Sequence, residues 1–141
     1  MLFTISRFDY SLKKQIISPK KIYCVDNGLI TTNTLSSSKD KGRLLENFVL
    51  LYLKNNFSEI YYYKEQDFEC DFIVKEKDKI VNAYQVCLNL DESNKEREIN
   101  GLIKTLKKFK LTNGKIITLD QSDSLDIDGF KIDIIPGYNL Y

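Results

Sequence analysis

Apolar residues recur at helical spacing in two stretches of this chain and in β-type runs in seven others. The first helical stretch, from about Lys41 to Asn56, is almost wholly apolar between Leu44 and Leu53. At about 100° per residue, Lys54 and Asn47 mark its polar side, and Asp40 is placed to cap its free N-terminal N–H groups. The second stretch opens at Asp91 or Ser93 and runs to about Lys110, with Ile99, Leu102, Ile103, Leu106 and Phe109 as its apolar stripe. Lys104, Lys107, Lys108 and Lys110 gather near its end, where they suit the negative pole of the helix dipole.

The β-type runs are Leu2 to Phe8, Lys21 to Asp26, Glu59 to Lys64, Phe68 to Lys75, Ile80 to Leu88, Lys115 to Leu119 and Phe130 to Ile135. Ser11 to Gln15 reads as a helical turn, Asn27-Gly28 as a turn and Thr31 to Ser38 as a mobile polar loop. The predicted order is therefore β-β-α-β-β-β-α-β-β. An antiparallel run of three strands between two helices, followed by a crossover, predicts an α/β (α+β) domain with a mixed sheet flanked by helices. Residues 1–20 are expected to be a connecting segment or the tail of a preceding module, and 21–141 the domain itself.

Composition narrows the chemistry. The 141 residues make one domain, 43% hydrophobic and 29% charged, with a net charge of +1. That balance is no footprint of a protein that coats DNA. No apolar run approaches the roughly 20 residues of a membrane span, and no signal peptide is evident, so the expected location is the cytoplasm and no membrane partner is expected. Histidine is absent, which excludes His-based triads and His–metal sites. There is no Gly-Lys-Ser/Thr phosphate loop, so the chain by itself is no P-loop nucleotidase. Cys24, Cys70 and Cys87 are too scattered for a zinc site and read as free thiols in apolar settings.

One residue breaks the pattern of the first helix. Glu46 falls between Leu53 and Leu50 on the wheel, inside the apolar arc, where an ionised carboxylate requires a partner. Further along, Phe68, Cys70, Phe72 and Val74 are expected on one face of their strand and Glu69, Asp71, Ile73 and Lys75 on the other. If three residues (Lys77-Asp78-Lys79) make the hairpin turn, Asp71 lies opposite Gln85 with both side chains on one face; a two-residue turn slips the pairing by one. Glu46, Asp71 and Gln85 would then form an oxygen-rich site suited to a hard cation such as Mg²⁺. The bland alternative is a solvent-facing Asp71 and a hydrogen-bonded Gln85.

Here the residues carry a resemblance. Lys21-Ile22-Tyr23-Cys24-Val25-Asp26-Asn27-Gly28-Leu29, Gly42-Arg43-Leu44-Leu45-Glu46-Asn47, Ile60 to Lys64, Glu69 to Val74, Tyr84 to Cys87 and Glu96-Arg97-Glu98-Ile99 follow in order. Together they resemble the uncharacterised domain found C-terminal to the AAA+ module of many prokaryotic ATPases, from about Lys20 to Pro136. That domain is similar to the restriction-endonuclease-like fold, whose nucleases use Asp…(Asp/Glu/Gln)-x-Lys and an acid on the preceding helix. The resemblance makes Glu46 the helix acid, Asp71 the metal-binding aspartate and Gln85 the second strand position, all three catalytic and metal-binding, with Mg or Mn as the ion. Cys87 stands where the lysine belongs, and a thiol supplies no cation. Lys75 shares the expected Asp71 face but lies about 13 Å away at about 3.3 Å per residue; Lys64 is the other substitute.

The function so implied is a nuclease-like module of an AAA+-type ATPase, catalytically degenerate, that binds DNA or a protein. The alternatives are an active Mg/Mn-dependent DNase using Glu46 and Asp71, and a structural, self-associating domain. A fused ATPase module and DNA are the expected partners. Lys104, Lys107 and Lys108, with Lys13, Lys14, Lys20 and Lys21, are the basic groups that could follow a phosphate backbone. Tyr61, Tyr62 and Tyr63 could stack on bases, against the plainer reading of buried rings with wet hydroxyls.

Overall fold

The computed structural model of the protein describes residues 1–26, 28 and 38–141, without the side chains of 38 and 39. In chain order the elements are β1 (Leu2–Ile5), α1 (Leu12–Ile17), β2 (Lys21–Cys24), α2 (Ser38–Asn56), β3 (Glu59–Lys64), β4 (Glu69–Glu76), β5 (Lys79–Val86), α3 (Lys95–Phe109), β6 (Asn113–Thr118), β7 (Asp123–Ile127), β8 (Phe130–Pro136) and a closing 3-10 turn (Gly137–Asn139). The expected mixed sheet flanked by helices is present: six strands in the order β3-β4-β5-β6-β8-β7. β3, β4 and β5 are antiparallel, and α3 carries the chain over to β6, parallel to β5. β8 is parallel to β6 and antiparallel to β7. No helix of the described residues is long and apolar enough to cross a membrane.

Two apolar cores lie on the two faces of this sheet. On one, Ile99, Leu102 and Leu106 of α3 pack against Ile73, Ala83 and Ile116; on the other, Val49, Leu50 and Leu53 of α2 pack against Phe72, Tyr84 and Ile117. Successive residues of β6, Ile116 and Ile117, serve opposite cores, as strand alternation requires. Each of their valine, leucine, isoleucine and phenylalanine side chains, when fully withdrawn from water, stabilises the fold by about 1.5–3 kcal/mol.

β1 and β2 form a separate antiparallel pair in which Thr4 faces Ile22 and Ile5 faces Lys21. Ile5 and Tyr23 enter the α2-side core, and Phe8 enters the α3-side core. Between them residues 6–8 run along β3: the Tyr62 N–H donates to the Ser6 carbonyl at 3.1 Å, and the Phe8 N–H donates to the Tyr62 carbonyl at 2.8 Å. That segment covers the edge of β3, which would otherwise offer unpaired backbone groups.

Several expectations require correction. α2 starts at Ser38, so Asp40 lies in its first turn and is not its cap. The rest of the loop expected there, and Asn27 of the expected turn, fall outside the described residues. Asn47, placed on the polar side by the helical wheel, is 3% exposed. α3 begins at Lys95 after the N-cap Asn94, because Asp91 and Ser93 close a turn of their own. α3 ends at Phe109, with Lys110 in the left-handed region at φ 57°. β7 was not anticipated, its three polar residues in five hiding the alternation.

The β4–β5 hairpin reaches the expected register by an unexpected route. Its turn has two residues, Lys77 and Asp78, both at positive φ, and pairs Glu76 with Lys79. That slip is undone a few residues later. Val74 pairs with Asn82 and Lys75 with Ile80, so Val81 is a one-residue bulge, and Phe72 pairs with Tyr84. A second irregularity, where β3 shifts between Tyr61 and Tyr63, breaks the expected face of β4: Cys70 joins the α3-side core, while Phe72 and Val74 join the other.

Candidate functional site

The second irregularity places Asp71 at the point where β4 changes faces. Its Oδ2 accepts the backbone N–H of Val86 at 2.9 Å, while Oδ1 lies 3.2 Å from Lys21 Nζ. Lys21 alternates with Tyr23 on β2, and both point inward between α2 and the sheet. Its ammonium is 2.5 Å from Glu69 Oε1 and 3.5 Å from Glu46 Oε1. Glu46 in turn accepts the Tyr23 hydroxyl at 2.6 Å. Three carboxylates from α2 and β4 thus converge on one lysine from the N-terminal strand pair.

Side-chain exposure is 25% for Lys21, 26% for Glu46 and 14% for Asp71, so the cluster is partly withdrawn from water. Burial works against the Lys21 charge, but Asp71, Glu46 and Glu69 outweigh it and raise its pKa above the ordinary lysine value. Burial, and then the neighbouring Glu46 charge, push the Asp71 carboxyl up to about 7, against the pull of Lys21 and the Val86 N–H. Tyr23 is raised, first by burial and then by Glu46, and keeps its proton as a donor. Asn47 fastens the lysine's strand to α2: it accepts the Cys24 N–H at 2.8 Å and donates to the Cys24 carbonyl at 3.0 Å.

Gln85 belongs to another cluster. Its Oε1 meets the backbone N–H of Asp71 at 3.4 Å, but its amide Nε2 donates to Glu98 Oε2 at 2.7 Å. Glu98, 6% exposed, also accepts from Arg97 Nη2 at 2.8 Å. The first turns of α3 and the start of β4 enclose a groove of about 490 Å³ whose walls include Asp67, Glu69, Glu92, Glu96, Arg97 and Lys104. The two elements approach so closely that a Cβ at Gly101 would stand 3.2 Å from the Glu69 carbonyl.

The remaining expected site residues are dispersed. Cys87 is packed against the α3-side core, and burial, then Glu98 and Asp71, push its thiol up to about 12, so it stays neutral at physiological pH. Lys64 is 58% exposed and lies 3.7 Å from Glu69. Lys75 pairs with Glu59 at 3.4 Å. Lys104 is ion-paired with Asp67 and lies over the Phe68 ring, Lys107 lies over Phe130, and Lys108 is exposed. Tyr62 and Tyr63 are 5% exposed, with their hydroxyls bound to the Pro19 carbonyl and Glu65. Among the described residues, no three Cys, Asp or Glu side chains stand in an arrangement that would hold a metal ion.

Sequence reasoning placed Glu46 and Asp71 in one site but gave Lys21 only to a phosphate track, and gave Tyr23, Asn47, Glu69 and Glu98 no part in the site. The alternation of Lys21 and Tyr23 in an otherwise apolar strand was the available signal.

Residues 41–138 match a family described as a domain of unknown function, DUF4143. An uncharacterized protein of Methanocaldococcus jannaschii is 37% identical over 146 residues, which cover 96% of this chain and 32% of that protein's length. The chain belongs to the DUF4143 family.

Proposed function

We propose that this DUF4143 domain is a nuclease-like module that no longer cleaves and serves as a protein-binding part of a larger, ATPase-containing protein. The observation that carries this reading is Lys21: its ammonium lies 2.5–3.5 Å from Glu69, Asp71 and Glu46, the place a catalytic ion would take among these acids. A nuclease ion of this kind needs oxygen ligands at about 2.0–2.1 Å. Here Asp71 is shared between Val86 and Lys21, Glu46 is shared between Tyr23 and Lys21, and Gln85 turns its amide to Glu98. The residues present do not fit such an ion, and the neutral Cys87 thiol replaces the charge that stabilises a departing phosphate oxygen.

Membership in a family that follows AAA ATPase modules in some proteins supports the association with an ATPase. So does the relative, of which this chain spans only about a third. A protein partner is favoured over DNA because the largest lysine group is engaged or dispersed and the groove beside Gln85 is rich in carboxylates, which repel phosphates. Leu12, Ile16 and Ile17 of α1 and Ile22 of β2 are 65–72% exposed, an apolar offering suited to a protein surface.

The test is incubation with linear and single-stranded DNA in Mn²⁺, beside Asp71→Ala. We expect no cleavage above the Asp71→Ala background and no salt-sensitive DNA binding. Mn²⁺-dependent cleavage that Asp71→Ala abolishes would overturn the reading.

A further inference from the structure

We infer that Lys21 is the permanent counter-ion of the carboxylate pocket, replacing a divalent cation and excluding it. The inference rests on the nuclease-like reading of Glu46 and Asp71, and adds to it the residue that stands in for the metal.

An ammonium offers three donors, and three carboxylates surround this one. Its position is imposed by the fold. Lys21 pairs with the buried Ile5, and two residues later Tyr23 is buried in the α2-side core. Asn47 holds both backbone groups of Cys24. The ammonium also lies 5.3 Å from the Tyr62 ring centroid. To leave the acids, Lys21 would have to break that strand pairing or swing its charge past them into water. An ion arriving from solution would therefore compete with a cation that is tethered and always present, at high effective concentration.

Removal of the ammonium reverses the situation. Asp71 stays fixed by the Val86 N–H, and Glu46 and Glu69, on longer side chains, can close on a smaller ion. Three partly buried carboxylates, left with the exposed Lys64 3.7 Å from Glu69, then demand a further cation.

The experiment compares the full chain with Lys21→Met, Lys21→Arg and Lys21→Met/Asp71→Asn, by Mn²⁺ calorimetry and by thermal melts in Mn²⁺ or EDTA. We expect the wild type and Lys21→Arg to give no binding heat and no melting shift at about 1 mM Mn²⁺. Lys21→Met should melt lower in EDTA, bind Mn²⁺ at least about tenfold tighter than the wild type, and recover melting temperature with Mn²⁺. The double variant should lose that recovery. Should Lys21→Met fail to fold in EDTA, folding restored by Mn²⁺ supports the inference, and failure in both media counts against it. A Lys21→Met protein indifferent to Mn²⁺, or a wild type that binds Mn²⁺ through Asp71, overturns it. Indifference of Lys21→Met to Mn²⁺, in a wild type that cleaves no DNA, leaves the functional reading standing, whereas cleavage by the wild type defeats that reading first.

Discussion

Asp71 and Gln85 are neighbours just beyond the Phe72–Tyr84 pair of β4 and β5, yet they serve two clusters of opposite character. On the α2 side, Asp71 joins Glu46 and Glu69 around Lys21, and about a quarter of the Lys21 and Glu46 side chains remains exposed. On the α3 side, Gln85 clamps the buried Glu98, which is balanced by an Arg97 that is 79% exposed. The first cluster has more acids than bases among the described residues, and the ammonium that reaches all three acids comes from a distant strand. The second is closed by a neutral amide and a neighbour in sequence. Neighbouring positions on two strands can thus divide a motif that looks like a single site, because the irregularity in the β3–β4 pairing re-aims Asp71.

The largest effect should come from the ammonium. Lys21→Met is expected to lower stability by about 2–3 kcal/mol at pH 7, since it leaves carboxylates without their partner, reduced from the fully buried case by solvent screening; urea unfolding measures it. Glu98→Ala should follow at about 2 kcal/mol, because the Gln85 amide loses its acceptor in a buried setting. If the order is reversed, the α3-side cluster and not Lys21 holds the two halves together. Arg97→Ala should change stability by less than about 0.5 kcal/mol, as its guanidinium is mostly in water.

The pH dependence sharpens the same contrast. Asp71 is pushed up to about 7 from 3.8, so between those values the folded chain holds a proton that the unfolded chain has released. Its contribution to stability is therefore present below about pH 4 and is lost as the pH rises to about 7. Asp71→Asn should flatten that slope in urea midpoints taken from pH 4 to 8; an unchanged slope would remove Asp71 as its source. The smallest effect concerns the thiols. Cys70 and Cys87, both pushed up to about 12 by burial, should resist iodoacetamide at pH 8 in the folded protein and react on unfolding.

The architecture was legible where the apolar period is long or the β-branched content dense. The stripe Ile99, Leu102, Ile103, Leu106 identified α3, and the three tyrosines with their neighbours identified β3. β7 was not legible, because Asp123, Ser124 and Asp126 give an exposed edge strand the look of a loop. Asn47 shows the limit of a helical wheel: its amide is buried because it satisfies the backbone of Cys24, a strand the wheel cannot see. The register expected from a three-residue turn is met at Phe72–Tyr84 through a two-residue turn plus the Val81 bulge, two departures that cancel, but Asp71 turns to Lys21 and Gln85 to Glu98. Glu46 and Asp71 both reach one ammonium, that of a lysine 25 residues before Glu46 in the chain. Such a long-range pairing leaves no periodic trace.

The most direct test of Lys21 as the cation of the pocket is crystallographic. Crystals of the wild type grown with millimolar Mn²⁺ should show no anomalous density among Glu46, Glu69 and Asp71, with Lys21 Nζ within hydrogen-bond reach of Asp71. A manganese peak at that point, with the Lys21 side chain turned away, would contradict the account.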